Sequence, residues 1–93
     1  MTSIVRQATV AISNGIHARP SHALVSLAVG YDSEIQLRFD GRSADAKSIL
    51  AVMTLGAPCG AHVEIAATGA DATQAANAVV ALLENSELGD SDK

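Results

Sequence analysis

The sequence has few basic residues and few aromatic ones. Lys and Arg total 6 in 93 residues against 10 Asp and Glu, and the formal net charge is -4. A surface that neutralises several phosphates of DNA or RNA needs more cations than this. With one Phe, one Tyr and no Trp, the chain also lacks the rings on which single-stranded bases stack. We therefore expect no nucleic-acid partner.

Cysteines and long apolar runs are scarce as well. Cys59 is the single cysteine, so an intrachain disulfide is excluded, which fits a reducing compartment. No apolar stretch approaches the ~20 residues that cross a bilayer, and residues 1–6 lack the basic and apolar run of a secretory signal. The composition predicts a cytoplasmic protein without membrane insertion.

The length and the apolar content are those of a small domain. At 93 residues and 48% hydrophobic composition, the chain can build one core from Ala, Val, Leu and Ile. We expect this domain to occupy residues 1–86. The polar, acidic residues 87–93 are expected to form a frayed tail.

Hydrophobic periodicity predicts seven elements. Alternation indicates strands over residues 4–12, 34–39, 43–46 and 62–67, and helical spacing indicates helices over residues 18–29, 49–55 and from 72 onward. Asp40-Gly41 predicts a hairpin turn, and Asp71 with Gln74 resembles a capping box. The order β-α-β-β-α-β-α predicts a two-layer α+β domain, an antiparallel sheet with helices on one face.

His17 is the histidine best placed for chemistry. It lies between the Asn14-Gly15 turn and the predicted first helix, on a loop where we expect the imidazole to be exposed to solvent. Backbone N–H groups and the helix dipole there favour an anion. Arg19 adds a cation with paired donors two residues away. An imidazole here could carry a labile phosphoryl group without a metal. The alternative is a polar turn residue with no function.

Other kinds of site lack their residues. His17 and His22 are five residues apart, off the i, i+4 pairing of metal ligands, and Cys59 is isolated. There is no phosphate-binding glycine loop and no dinucleotide fingerprint. We expect no metal and no cofactor, and we interpret His22 and His62 as solvated surface residues.

Two segments together resemble a known family. Residues 14–20 read Asn14-Gly15-Ile16-His17-Ala18-Arg19-Pro20, and residues 46–56 read Ala46-Lys47-Ser48-Ile49-Leu50-Ala51-Val52-Met53-Thr54-Leu55-Gly56. The first is similar to the active-site signature of HPr, the histidine-containing phosphocarrier of the phosphoenolpyruvate-dependent sugar phosphotransferase system. The second resembles that family's regulatory-serine helix. The resemblance extends over residues 4–84, without a gap between His17 and Ser48.

The resemblance implies a fold and a role. The fold is a four-stranded antiparallel sheet with three helices on one face. The role is that of a stoichiometric phosphocarrier, not an enzyme: His17 would accept phosphate from enzyme I and pass it to IIA domains of sugar permeases. Arg19 would orient the phosphoryl group, Pro20 would fix the entry into the helix, and Asn14 and Gly15 would shape the turn. A monomer is expected.

The resemblance also implies a regulatory and docking surface. Ser48 is expected to cap the second helix, and it could accept phosphate from a serine kinase, to be removed by a phosphorylase. Part of the second helix would be exposed and form an apolar docking patch from among Ile49, Leu50 and Met53. In a generic domain all three would be core, and we expect at least two of them to be so here. The first helix has Ser26 and Val29 where many relatives carry lysines. Arg19 and Lys47 would then be the main local cations.

Two other functions remain open from the sequence. The protein could serve a nitrogen-related phosphorelay, with the same histidine and different partners. It could also be an interaction module that binds a transcription factor or kinase when Ser48 is phosphorylated. The intact segment from Asn14 to Pro20 argues against a module that does not use His17.

Overall fold

The computed structural model describes residues 2–86, so the predicted tail at 87–93 lies outside the described residues. Within this range the chain forms four strands and three helices in the predicted order. Their bounds are β1 Ser3–Thr9, α1 Ala18–Ala28, β2 Glu34–Phe39, β3 Arg42–Asp45, α2 Ile49–Leu55, β4 His62–Thr68 and α3 Ala72–Leu83.

The strands form one antiparallel sheet in the described part of the chain, in the spatial order β1-β4-β2-β3. The last strand, β4, is central and places Ile65 opposite both Arg6 of β1 and Leu37 of β2. The predicted hairpin joins β2 to β3 through Asp40 and Gly41, whose φ values are 54° and 76°. Both are positive, as a two-residue turn that follows the twist of the strands requires.

One face of the sheet is apolar and the other is polar. Ile35, Leu37, Val63 and Ile65 are fully buried, and they alternate with polar residues along β2 and β4. On the polar face the guanidinium of Arg38 pairs with the Glu64 carboxylate at 2.8 Å. The three helices cover the apolar face, which confirms the two-layer α+β prediction.

Most predicted boundaries hold within two or three residues. Strand β1 ends at Thr9 rather than residue 12, although Val10 and Ile12 remain buried in the core. Backbone bonds from Val10 N to Ala61 O and from Gly60 N to Val10 O hold the chain beyond the strand end. Side-chain burial continues past the regular ladder, and for that reason alternation overestimates the length of the strand.

The capping box predicted at Asp71 is wrong. Asp71 is the N-cap residue of α3, but its side chain makes no capping hydrogen bond. Its carboxylate instead accepts hydrogen bonds from the backbone N–H groups of Asp32 and Ser33 and from the Ser33 hydroxyl. These bonds tie the start of α3 to the entry of β2. They also lower the pKa of the Asp71 carboxyl, the Ser33 hydroxyl contributing most.

Candidate functional site

The turn before the first helix is built on two residues with left-handed backbone. Asn14 has φ 68° and Gly15 has φ 73°, and the Gly15 N–H donates to the Ile12 carbonyl at 2.9 Å. Gly15 is also packed too closely to carry a side chain. A Cβ there would lie 2.5 Å from the Ala57 carbonyl oxygen and 2.7 Å from Pro58 Cα. The turn therefore needs glycine for both its conformation and its packing.

The same turn is held against the loop that follows α2. The Ile16 N–H donates to the Ala57 carbonyl at 2.9 Å, and the Ile16 side chain is buried. Gly56, with φ 66°, ends α2 in the left-handed conformation and directs the chain into this loop. The residue that follows Ile16 is thus positioned relative to α2 as well as to α1.

That residue is His17, the N-cap of α1. Its backbone is extended, with φ -95° and ψ -164°, and its carbonyl accepts the first helical hydrogen bond from Ser21 N at 2.9 Å. The side chain is half-buried rather than fully open, and the Nε2 atom lies below the surface. The sequence-based expectation of a solvent-open imidazole is therefore met only in part.

The first turn of α1 combines a cation, a proline and backbone donors. Arg19 is exposed and Pro20 is buried. Pro20 occupies the third helical position, where a backbone N–H would have no partner within the helix, so its ring costs no hydrogen bond. The helix N-terminus presents N–H groups and the positive end of its dipole toward the His17 segment.

Ser48 caps α2 as predicted. Its Oγ accepts a hydrogen bond from the Ala51 N–H at 3.3 Å, and its carbonyl accepts one from Val52 N at 3.0 Å. The side chain is half-buried, so part of the residue remains accessible. The cap accounts for the residue structurally, because a serine hydroxyl in this position stabilises a helix by about 1 kcal/mol.

Helix α2 exposes three large apolar side chains. Ile49 is 41% exposed, Leu50 74% and Met53 43%, whereas Val52 and Leu55 take the core positions. The expectation that at least two of Ile49, Leu50 and Met53 lie in the core is wrong. Because α2 is only seven residues long, its few buried positions are filled by Val52 and Leu55. The exposed three form what we call the α2 patch.

Comparison with known proteins identifies this arrangement. The family model described as the PTS HPr component phosphorylation site, PTS being the phosphotransferase system, matches residues 4–85. The chain belongs to the HPr family of phosphocarrier proteins. HPr from Bacillus anthracis str. Ames is similar in structure, with a TM-score of 0.85 and 30% identity over 89% of this chain and 99% of that one.

Two further HPr structures are also similar. The histidine-containing phosphocarrier protein of Mycoplasma is 30% identical, with a TM-score of 0.79 over 85% of this chain and 90% of that one. An HPr dimer from Thermoanaerobacter tengcongensis is 39% identical, with a TM-score of 0.69 over 78% of this chain and 86% of that one. The membership confirms the resemblance found in the sequence.

In this HPr-family chain, Arg19 and Lys47 were both expected to be cations close to His17, but the Lys47 ammonium lies elsewhere. The Lys47 ammonium donates to the Tyr31 carbonyl at 2.8 Å, and Tyr31 follows α1 while His17 precedes it. The 11 residues of α1 rise by roughly 16 Å, so Lys47 is bound at the opposite end of that helix. The structure thus brings Arg19, but not the Lys47 ammonium, to the His17 end.

A second cation beside Ser48 was missed in the sequence. Arg42 and Ser48 line the same surface groove between β3 and α2, together with Leu50 and Thr54. Arg42 starts the short strand β3, and only the packing of α2 against β3 brings it near the helix cap.

None of the helices in the described part of the chain is long and apolar enough to cross a membrane.

Proposed function

We propose that this phosphotransferase-system carrier accepts a phosphoryl group on Nδ1 of His17. Enzyme I, itself phosphorylated by phosphoenolpyruvate, is the donor, and IIA domains of sugar permeases are the acceptors. The observation that carries the proposal is the position of His17 as the N-cap of α1, with Nε2 below the surface. Of the two ring nitrogens, this leaves Nδ1 as the nucleophile.

The transfer needs no metal or cofactor. The bond between phosphorus and enzyme I breaks as the Nδ1 lone pair forms a new bond to phosphorus. In the second transfer the P–Nδ1 bond breaks as a nucleophile of the IIA domain bonds to phosphorus, and Nδ1 recovers its lone pair. The product is a phosphoramidate, labile enough to be passed on. The chain is therefore a stoichiometric carrier within a series of transfers.

Arg19 and the start of α1 stabilise the phosphoryl group. The guanidinium provides paired donors for phosphate oxygens, a geometry that an ammonium lacks. The helix N-terminus adds about 0.3–1 kcal/mol for an anion at an exposed position. These contributions are modest, which suits a group that must leave again.

The α2 patch docks the partner proteins. Leu50 is the most exposed of its three side chains, and the loop after α2 is bonded to the segment that carries His17. A partner that covers the patch would thereby approach the imidazole. A patch of three side chains forms only a small interface, which is appropriate for a complex that must dissociate after each transfer.

Phosphorylation of Ser48 by a serine kinase regulates docking, and a phosphorylase reverses it. Ser48 directly precedes Ile49 of the patch and is only half-buried. A phosphate there adds about -2 charge at the edge of an apolar contact, where desolvation would oppose binding. The modification would weaken transfer to His17 without touching the imidazole.

The protein acts as a cytoplasmic monomer in this proposal. The relative from Thermoanaerobacter tengcongensis is described as a dimer, so the assembly state needs its own measurement. Light scattering after gel filtration should give the mass of one chain. A mass of two chains would contradict this part of the proposal.

Phosphorylation with purified enzyme I tests the function. The protein is incubated with phosphoenolpyruvate, Mg²⁺ and catalytic enzyme I, and its intact mass is measured before and after acid treatment. One acid-labile phosphate is expected on the wild type and on His22→Ala, because His22 is exposed on the surface of α1. His17→Ala should gain none. An unlabelled wild type beside an active enzyme I would refute the proposal.

A further inference from the structure

Arg42 is a cation without a partner in the described part of the chain. It is exposed at the start of β3, and its side chain forms no hydrogen bond or ion pair with the described residues. Arg38 of the same hairpin pairs with the Glu64 carboxylate at 2.8 Å. The Lys47 ammonium donates to the Tyr31 carbonyl at 2.8 Å. The Arg42 guanidinium therefore keeps its N–H donors available for a ligand.

The Arg42 side chain lies on the helix-facing side of the sheet. Residues two apart in a strand share a face, and Ala44, two residues further along β3, is buried in the core. On the neighbouring strand Phe39 is paired with Arg42 and packs against the same core. Arg42 is thus directed toward α2, and not toward the polar face that holds Arg38.

The groove between β3 and α2 places Arg42 and Ser48 around one space. Its volume is about 520 Å³, and Leu50 and Thr54 also line it. The Ser48 N–H donates to the Asp45 carbonyl at 3.0 Å, which fixes the start of α2 at the end of β3. Arg42 is three residues back along that strand, about 10 Å at the usual rise of ~3.3 Å per residue. A phosphate on the Ser48 hydroxyl would enter the space that the guanidinium already lines.

The charges around this groove favour Arg42 as the group that receives a phosphate. Among the described residues that line the groove, Arg42 alone is charged. The Asp45 carboxylate accepts from the Lys47 N–H at 2.9 Å, and it lies at an alternate position of β3, on the other face from Arg42. A phosphate has three acceptor oxygens, and a guanidinium presents paired donors that match two of them.

The next step rests on the phosphorylation of Ser48 proposed above. We propose that Arg42 binds the phosphate on Ser48. The guanidinium donates two hydrogen bonds to phosphate oxygens and ties the start of α2 to the edge strand β3. The phosphate is held over the groove side of Leu50, the most exposed side chain of the α2 patch. Arg42 has no part in phosphoryl transfer to His17.

Phosphoserine incorporated at position 48 during translation tests this assignment without a kinase. ³¹P NMR gives the second pKa of the phosphate, which is about 6 in phosphoserine. A guanidinium bonded to the dianion favours the charged form and lowers this pKa. In Arg42→Ala the phosphate should therefore bind its proton about threefold more tightly, the effect of an exposed ion pair. Arg42→Lys should recover part of the difference, because it keeps the charge and loses the paired donors.

Arg38→Ala provides the control for a general effect of charge. Arg38 lies opposite Ser43, next to Arg42, but its guanidinium is on the polar face with Glu64. Its removal should leave the pKa of the phosphate unchanged. Urea unfolding adds a second measurement: the phosphate should raise the folding equilibrium constant about threefold more in the protein with Arg42 than in Arg42→Ala.

Equal phosphate pKa values with and without the Arg42 guanidinium would overturn the inference, as would an equal shift in Arg38→Ala. Either result leaves the phosphocarrier function of His17 intact, because no step of this experiment uses enzyme I. Failure of enzyme I to phosphorylate His17 would refute the proposed function, and it would leave the phosphate pKa values at position 48 unaffected.

Discussion

Gly15 provides the sharpest test of how the site is assembled. In Gly15→Ala the new Cβ would lie 2.5 Å from the Ala57 carbonyl oxygen, on a residue with φ 73°. The left-handed backbone costs about 1–2 kcal/mol for a residue with a side chain. Displacement of the Ala57–Pro58 backbone adds about 1–3 kcal/mol, the usual cost of overpacking. We expect a loss of about 2–5 kcal/mol in the free energy of unfolding.

Gly41→Ala is the matched control for this variant. Gly41 has φ 76°, nearly the same backbone conformation, but no atom lies within 4 Å of where its Cβ would be. It should lose only the conformational part, about 1–2 kcal/mol. Urea unfolding followed by circular dichroism measures the free energy of unfolding of both variants. The rate of phosphorylation by enzyme I should fall further in Gly15→Ala than in Gly41→Ala. Equal losses of stability would refute the packing argument.

The remaining predictions concern four side chains. Leu50→Ala should change the free energy of unfolding by no more than about 0.5 kcal/mol, because the side chain is 74% exposed. It should lower kcat/KM for phosphorylation by enzyme I about tenfold. An unchanged kcat/KM would show that Leu50 does not contribute to docking. Arg19→Ala should slow phosphorylation about tenfold and Arg19→Lys should restore only part of it, since the paired donors are lost, as rapid-quench assays would show. Ser48→Ala should cost about 1 kcal/mol in urea unfolding through loss of the cap, and a cost near zero would contradict the capping bond. Asp71→Asn should lower the urea midpoint at pH 7. The pKa of Asp71 is lower in the folded protein than its ordinary value, so the carboxylate stabilises the fold at pH values above the ordinary pKa. This stabilisation disappears as the pH falls through the lowered pKa of the folded protein. The two midpoints should therefore converge in acid, and a gap that persists there would contradict the role of the carboxylate.

The sequence predicted the fold well where local patterns decide. Alternation in β2 and β4, the Asp40-Gly41 turn and the Ser48 cap each depend on residues close in the chain, and each appears in the structure. The boundaries of β1 were less accurate because core burial continues beyond the hydrogen-bonded ladder. A pattern of apolar residues reports burial, and burial is not limited to regular strands.

Contacts between distant segments were not predictable from those patterns. Asp71 has a local sequence typical of a helix cap, but its carboxylate bonds to Asp32 and Ser33, respectively 39 and 38 residues earlier in the chain. The Lys47 ammonium likewise binds a carbonyl 16 residues away. The hydrogen-bond partner of a charged side chain depends on which groups folding brings close to it.

The candidate site was predicted in part for the same reason. The position of His17 before a helix follows from the Asn14-Gly15 turn and Pro20, which are local signals. The burial of Nε2 and the close approach of Ala57 to Gly15 depend on the packing of α1 and the loop after α2. No spacing in the sequence encodes them.

In the proposed function, one nitrogen of one histidine carries the phosphoryl group. NMR of the ¹⁵N-labelled protein, phosphorylated with phosphoenolpyruvate and catalytic enzyme I, identifies the nitrogen bonded to phosphorus. We expect phosphorus on Nδ1 of His17. Phosphorus on Nε2 of that ring, or on His22 or His62, would contradict it.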